Sequence, residues 1–117
     1  MTVNQVRYVF ETAKCGSMTR AAERFYISQP ALSEQVRALE AELGIVLFRR
    51  TPHGAELTAS GAVFCQEAEA ALRAWEAFEH SCSRLKNPLG RKEDEDSSLV
   101  RSLRRHLKDS LPVQKNL

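Results

Sequence analysis

The 117-residue sequence predicts a mainly α-helical protein: a winged helix-turn-helix of three helices and a two-stranded wing, followed by a long coiled-coil linker helix. Three observations predict it. Two short amphipathic segments are joined by a link of only a few residues between Phe25 and Ser28. Behind them, two short apolar runs flank the turn-forming cluster TPHG. Beyond the second run, apolar residues recur in alternating steps of four and three over three heptads. The expected units are residues 1–60 for the winged domain, 61–85 for the linker helix and 86–117 for a charged, flexible tail.

Composition narrows the classes. A hydrophobic fraction of 43% supports a packed core, and at this length a modest one. The net charge of +2 divides into +1, −2 and +3 over residues 1–60, 61–85 and 86–117, so a basic footprint has to be local. MTVNQVRYVF has no basic region ahead of an apolar stretch, and no signal peptide is expected. No run approaches a membrane span, so no membrane partner is expected. Cys15, Cys65 and Cys82 are odd in number and far apart, which fits reduced thiols in a cytoplasm rather than a disulfide framework or metal site. His53, His80 and His106 have no Cys or carboxylate at a recognised interval, so neither an enzyme nor a cofactor is expected. Cys15 and Cys65 read as fillers of core gaps.

Taken in order, Val3, Val6, Phe10 and Ala13 mark a first helix over residues 3–15, with Thr2 as cap and Gly16 as stop. Ser17 caps a second helix, MTRAAERF, whose Ala21–Ala22 pair admits close approach by another helix. The third helix lies in ISQPALSEQVRALEAEL, with Ser28 as N-cap, Pro30 in the first turn and Gly44 behind. Leu32, Val36, Leu39 and Leu43 share one face. The other face carries Gln29, Ser33, Glu34 and Arg37, whose polar groups suit the reading of base edges. On that segment alone an ordinary amphipathic surface helix is the better reading; the tight turn before it and the wing behind it shift the balance to a recognition helix.

After Gly44, IVLFRR reads as one short strand, TPHG as the turn and AELT as a second strand with Leu57 inward. Arg49, Arg50 and His53 flank this wing, where they either meet phosphates or a minor groove or keep a strand edge from pairing. Thr58 reads as N-cap of a helix of about 27 residues, roughly 40 Å long. Its seam is Phe64, Ala68, Ala71, Trp75, Phe78, Cys82 and Leu85. So long a seam calls for a second apolar surface, either another copy of the chain or the tail folded back over it. Asn87-Pro88 and Gly90 break the pattern, and RKEDEDSS reads as a polar linker. SLVRSLRRHLKDSL has Leu99, Leu103, Leu107 and Leu111 on one stripe, the material for a short helix that is marginal alone; the segment is expected to be mostly mobile.

Residues 3–61 closely resemble the N-terminal winged helix-turn-helix of LysR-type transcriptional regulators. The matching residues are Gly16-Ser17, Thr19, Ala21-Ala22, Ser28-Gln29-Pro30-Ala31-Leu32-Ser33, Leu39-Glu40, Leu43-Gly44, Leu47-Phe48-Arg49-Arg50 and Leu57-Thr58 to Gly61. The resemblance implies a homodimer, paired through the linker helix, that reads two half-sites in double-stranded promoter DNA. By position it implies base reading by Gln29, Pro30 and Ser33, with Ser17 and Thr19 near the DNA backbone. Two positions depart: Glu34 and His53 stand where the family commonly has basic residues. Glu34 can accept a hydrogen bond from a cytosine amino group or pair with Arg37.

Full-length members carry a two-lobed effector domain, and about 30 residues after the linker helix are too few for one. The expectation is therefore a sequence-specific regulator without a small-molecule effector site, cytoplasmic and nucleoid-associated when DNA-bound. It is either a truncated or frameshifted product or a short stand-alone regulator. The alternative is a truncated dimerisation module that binds DNA weakly and inhibits full-length relatives.

Overall fold

A computed structural model describes residues 1–85 and 97–110. Its elements, in order, are α1 (Val3–Cys15), α2 (Met18–Arg24), α3 (Gln29–Leu43), β1 (Phe48–Thr51), β2 (Gly54–Leu57), α4 (Ala59–Arg84) and α5 (Ser97–Lys108). They fall into two compact units, Met1–Phe78 and Glu79–Leu117. This is the mainly helical winged arrangement that the sequence predicts.

Local signals set the helix ends. Thr2 and Gln5 form a reciprocal capping box at α1, and Gly16 closes it in the left-handed region at φ 69°. The Ser17 hydroxyl accepts from the Arg20 amide at 3.1 Å, and that of Ser28 from the Ala31 amide at 3.2 Å. Between α2 and α3 the turn is made without glycine. Tyr26 takes φ 58°, while the amides of Tyr26 and Ile27 donate to the carbonyls of Glu23 and Ala22. Those two bonds form a Schellman closure, whose left-handed residue is usually glycine.

Val9, Met18, Ala21, Ala22, Leu32, Val36, Leu39, Leu47, Phe48 and Ala55 make the core of the first unit. The alanine pair of α2 is at most 1% exposed, as the expected close approach requires. Tyr8 of α1 meets Phe25 edge-on at 4.9 Å between centroids. Glu11 of α1 is ion-paired with Arg24 of α2 and bonded by Cys15. Burial alone would raise the Glu11 pKa, but the Cys15 hydrogen bond and the charges of Lys14 and Arg24 bring it below the ordinary value. Leu43, expected on the buried face of α3, is half-open at 37%.

The wing is shorter at its start than IVLFRR suggests. Ile45 to Leu47 are not strand, because their polar groups bond elsewhere: the Leu47 amide donates to the Glu40 carboxylate at 2.7 Å, and its carbonyl accepts from the Thr58 amide at 3.0 Å. Thr51 and Gly54, expected in the turn and in the cluster TPHG, are instead paired in the antiparallel ladder, leaving Pro52 and His53 as the turn. At Gly54 (φ 134°) a Cβ would lie 2.3 Å from the Gly16 carbonyl oxygen, which accepts from the Ala55 amide. The wing is thus docked onto the α1–α2 corner.

Thr58 caps α4 as expected, its hydroxyl accepting from the Gly61 amide at 3.0 Å. The covered residues of α4 only partly follow the predicted seam. Gly61, Ala68 and Leu72 are buried and Cys65 half-buried, although only Ala68 belongs to the predicted seam. Of the remaining seam residues, Phe64 is half-buried and Ala71, Trp75 and Phe78 are exposed. In the second unit Cys82 is half-buried, and Leu85 is exposed one residue beyond the helix.

Within the expected mobile tail, Ser97–Lys108 is helical, so the helix-forming option of SLVRSLRRHLKDSL holds over that part. The Asn87-Pro88 and Gly90 break, most of RKEDEDSS, and Leu111 lie outside the described residues. Among the described residues, no helix is long and apolar enough to cross a membrane.

Candidate nucleic-acid interface

The N-terminal part of α3 carries the densest group of sequence-predicted site residues. Pro30, Glu34 and Arg37 are exposed and Gln29 is half-buried. The Ser28 cap and Pro30 within the first turn hold this end helical without help from a partner. Its unpaired amides give the helix start a positive bias toward anions.

Ser33 departs from the face assigned to it. It is 4% exposed, and its hydroxyl accepts from an Arg50 guanidinium nitrogen at 2.7 Å. The cause is position: Ser33 lies beside Leu32 and Val36, both at most 1% exposed, while β1 brings Arg50 over it. Arg50 and Arg37 then line one cleft with Met18, Glu40 and Phe48. Three elements therefore meet at a cleft lined by two arginines and Glu40: the start of α2, the middle of α3 and the first wing strand.

Ser17, half-buried, spends its hydroxyl on capping α2, whereas Thr19 in the first turn is exposed. In the wing, Arg49 is exposed and lies opposite Glu56 in the ladder. His53 is exposed in the turn, its amide donating to the Thr51 hydroxyl at 3.2 Å. The ladder and the Gly16–Ala55 contact fix where these two residues stand.

Glu40 is the residue that sequence reasoning missed. Its carboxylate accepts from the amides of Leu47 and Phe48, at 2.7 and 3.3 Å, and so ties the wing's entry to α3. Nothing in the sequence marks this contact, since a glutamate near the end of an amphipathic helix is ordinarily solvated. The thiols of Cys15 and Cys65 are pushed up in pKa by burial, and Cys15 also by its bond to Glu11. Both stay protonated near neutral pH, unlike nucleophilic cysteines.

Comparison with known proteins agrees with this architecture. The family described as bacterial regulatory helix-turn-helix protein, lysR family, matches residues 3–62. The chain is 45% identical over 76 residues to the HTH-type transcriptional regulator ClcR of Pseudomonas putida, covering 65% of this chain and 26% of that protein. It is 39% identical over 100 residues to the HTH-type transcriptional regulator TfdT of Cupriavidus pinatubonensis, covering 86% of this chain and 42% of that protein. The chain thus spans between a quarter and under half of these relatives. Among solved structures, the CbnR_DBD–DNA complex is similar with a TM-score of 0.65 and 38% identity, over 73% of this chain and 99% of that one. The BenM_DBD/catB site 1 DNA complex is similar with a TM-score of 0.68 and 32% identity, over 74% and 97%.

Proposed function

Because the chain belongs to the lysR family of bacterial regulatory helix-turn-helix proteins, we propose that it binds double-stranded promoter DNA as a homodimer and regulates transcription. The observation that carries this reading is the convergence of Arg37 and Arg50 on one cleft beside the exposed start of α3. Gln29 and Pro30 meet bases in the major groove, and Arg37 meets bases or the backbone at the groove's edge. Glu34 selects a cytosine amino group. Ser33 acts through Arg50, which it holds in place. Thr19, Arg49 and His53 meet phosphates and fix the register without reading sequence, and Ser17, whose Oγ accepts from the Arg20 amide, keeps its O–H to donate to one. Similarity to two DNA-bound domains supports the same assignment.

Dimerisation uses the outer face of α4, where Trp75 (37% exposed) and Phe78 (55%) touch each other at 5.5 Å between ring centroids. Two large rings on one exposed helix face favour a second copy of the same face. Of the other expected seam residues in the first unit, Ala71 is exposed beside the rings, whereas Ala68 is covered by its own chain and Phe64 is half-buried.

Selection of bound duplexes from a random pool, followed by sequencing, tests the whole reading. The expected product is two related half-sites separated by one or more helical turns. Gln29→Ala should then lower discrimination by roughly 1–3 kcal/mol. Absence of any enriched sequence would sink the assignment of α3. Exposed Glu34 favours a second reading, a pairing module that binds DNA weakly and inhibits longer relatives. Dimers seen by light scattering without retained DNA at low salt would select it.

A further inference from the structure

We infer that α5 is an interfacial anchor whose ligand is the surface of an anionic lipid bilayer. Over Ser97–Lys108 the chain reads SSLVRSLRRHLK, four cations and no acid. At 100° per residue, Leu99, Val100, Leu103 and Leu107 fall within an arc of about 100°. Arg101, Arg104, Arg105 and Lys108 occupy a second arc of about the same width on the far side. The four apolar side chains are 61%, 48%, 50% and 58% exposed. Val100, Leu103 and Leu107 line a shallow groove with Arg104 and Lys108.

The two arcs together decide the ligand. A DNA duplex satisfies the cations and leaves the leucines in water. An apolar protein groove covers the leucines and offers nothing to four positive charges. The boundary of an anionic bilayer takes both, acyl chains for the leucines and headgroup phosphates for the arginines. Arg104 and Lys108, whose stems border the groove, suit this boundary because long basic side chains keep their charge in the headgroup layer. Twelve residues make a helix of about 18 Å, too short to span a bilayer and long enough to lie in its surface. The expectation of no membrane partner rested on span length, which does not bear on a helix lying flat.

The test is co-sedimentation of the full 117-residue chain with vesicles of phosphatidylcholine, alone or mixed with phosphatidylglycerol, at physiological salt without DNA. Anionic vesicles should retain the chain on the order of 600-fold more than neutral ones, about fivefold for each of the four cations. Leu103→Asp should abolish retention and leave duplex affinity unchanged, with circular dichroism confirming an intact remainder. Arg104→Gln with Arg105→Gln should reduce retention by about 25-fold on the same scale while keeping the apolar arc. No retention, equal retention on both vesicles, or full retention of Leu103→Asp would each overturn the proposal. Loss of duplex affinity by the arginine variant, with no vesicle binding by the parent, would overturn it in favour of DNA phosphates.

Discussion

Helices α3 and α4 follow one amphipathic rule and meet different fates. In α3, Leu32, Val36 and Leu39 are at most 1% exposed, all covered by the same chain. In α4, the chain covers Gly61, Ala68 and Leu72, while Trp75 and Phe78 farther along the helix stay open. A stripe in sequence states that something must cover it. What covers it depends on the reach of the neighbouring elements, and a small domain beside a helix of about 39 Å covers only part of its length.

Variants measure that difference, and the largest effect belongs to α3. Leu39→Ala should cost roughly 2–5 kcal/mol in denaturant unfolding, since Leu39 is wholly enclosed and its neighbours cannot all close in. On the covered face of α4, Gly61→Ala should cost about 1–3 kcal/mol through overpacking. Its Cβ would stand 2.2 Å from the Leu47 carbonyl oxygen, backbone that is itself held by Thr58. Phe78→Ala, on the open face, should change monomer unfolding by under about 1 kcal/mol. Sedimentation equilibrium should instead show a weaker dimer. A large loss of monomer stability would mean that Phe78 is covered within its own chain, and the contrast between the helices would fail.

The smallest effect is expected from acid, which acts on neither stripe. Glu11 has a folded pKa below the ordinary glutamate value of 4.5, so its contribution is complete above the unfolded pKa. That contribution is lost as pH falls through the lower, folded value. Its partners are exposed, with Arg24 at 61% and Lys14 at 58%, which limits the effect to roughly 0.2–1 kcal/mol. Thermal melts from pH 6 to pH 3 should lose less in Glu11→Gln than in the parent. Equal losses would show that other carboxylates govern acid stability.

A cycle tests the cleft separately from either stripe. Ser33→Ala and Arg50→Ala should each weaken binding to all duplexes, and the double variant should lose less than the sum. Strict additivity would detach Ser33 from Arg50.

Much of this was legible because short-range chemistry writes it into adjacent residues. Thr2, Ser17, Ser28 and Thr58 all cap helices where their spacing said they would. Gly16 and Gly44 both close helices in the left-handed region. The closure at Tyr26 was hidden because a tyrosine does there what glycine usually does. The inward place of Ser33 was hidden too, since it depends on an arginine 17 residues away. Glu40 belongs to the same class, its two amide donors being supplied beyond Gly44 by Leu47 and by Phe48 at the start of β1.

By itself, then, the sequence determined the first four helices, most of their ends, the presence of a wing and the family. These follow from interactions within four residues of one another, or from residue patterns that need no coordinates. Tertiary structure alone decided the strand register, the role of Glu40, the pairing of Ser33 with Arg50 and how much of the α4 stripe the chain covers. Each of those depends on which distant groups arrive at a given atom, and local spacing carries no record of arrivals. The helix carrying Gln29 and Arg37 could be found by reading; the cleft in which Arg37 meets Arg50 had to be folded first.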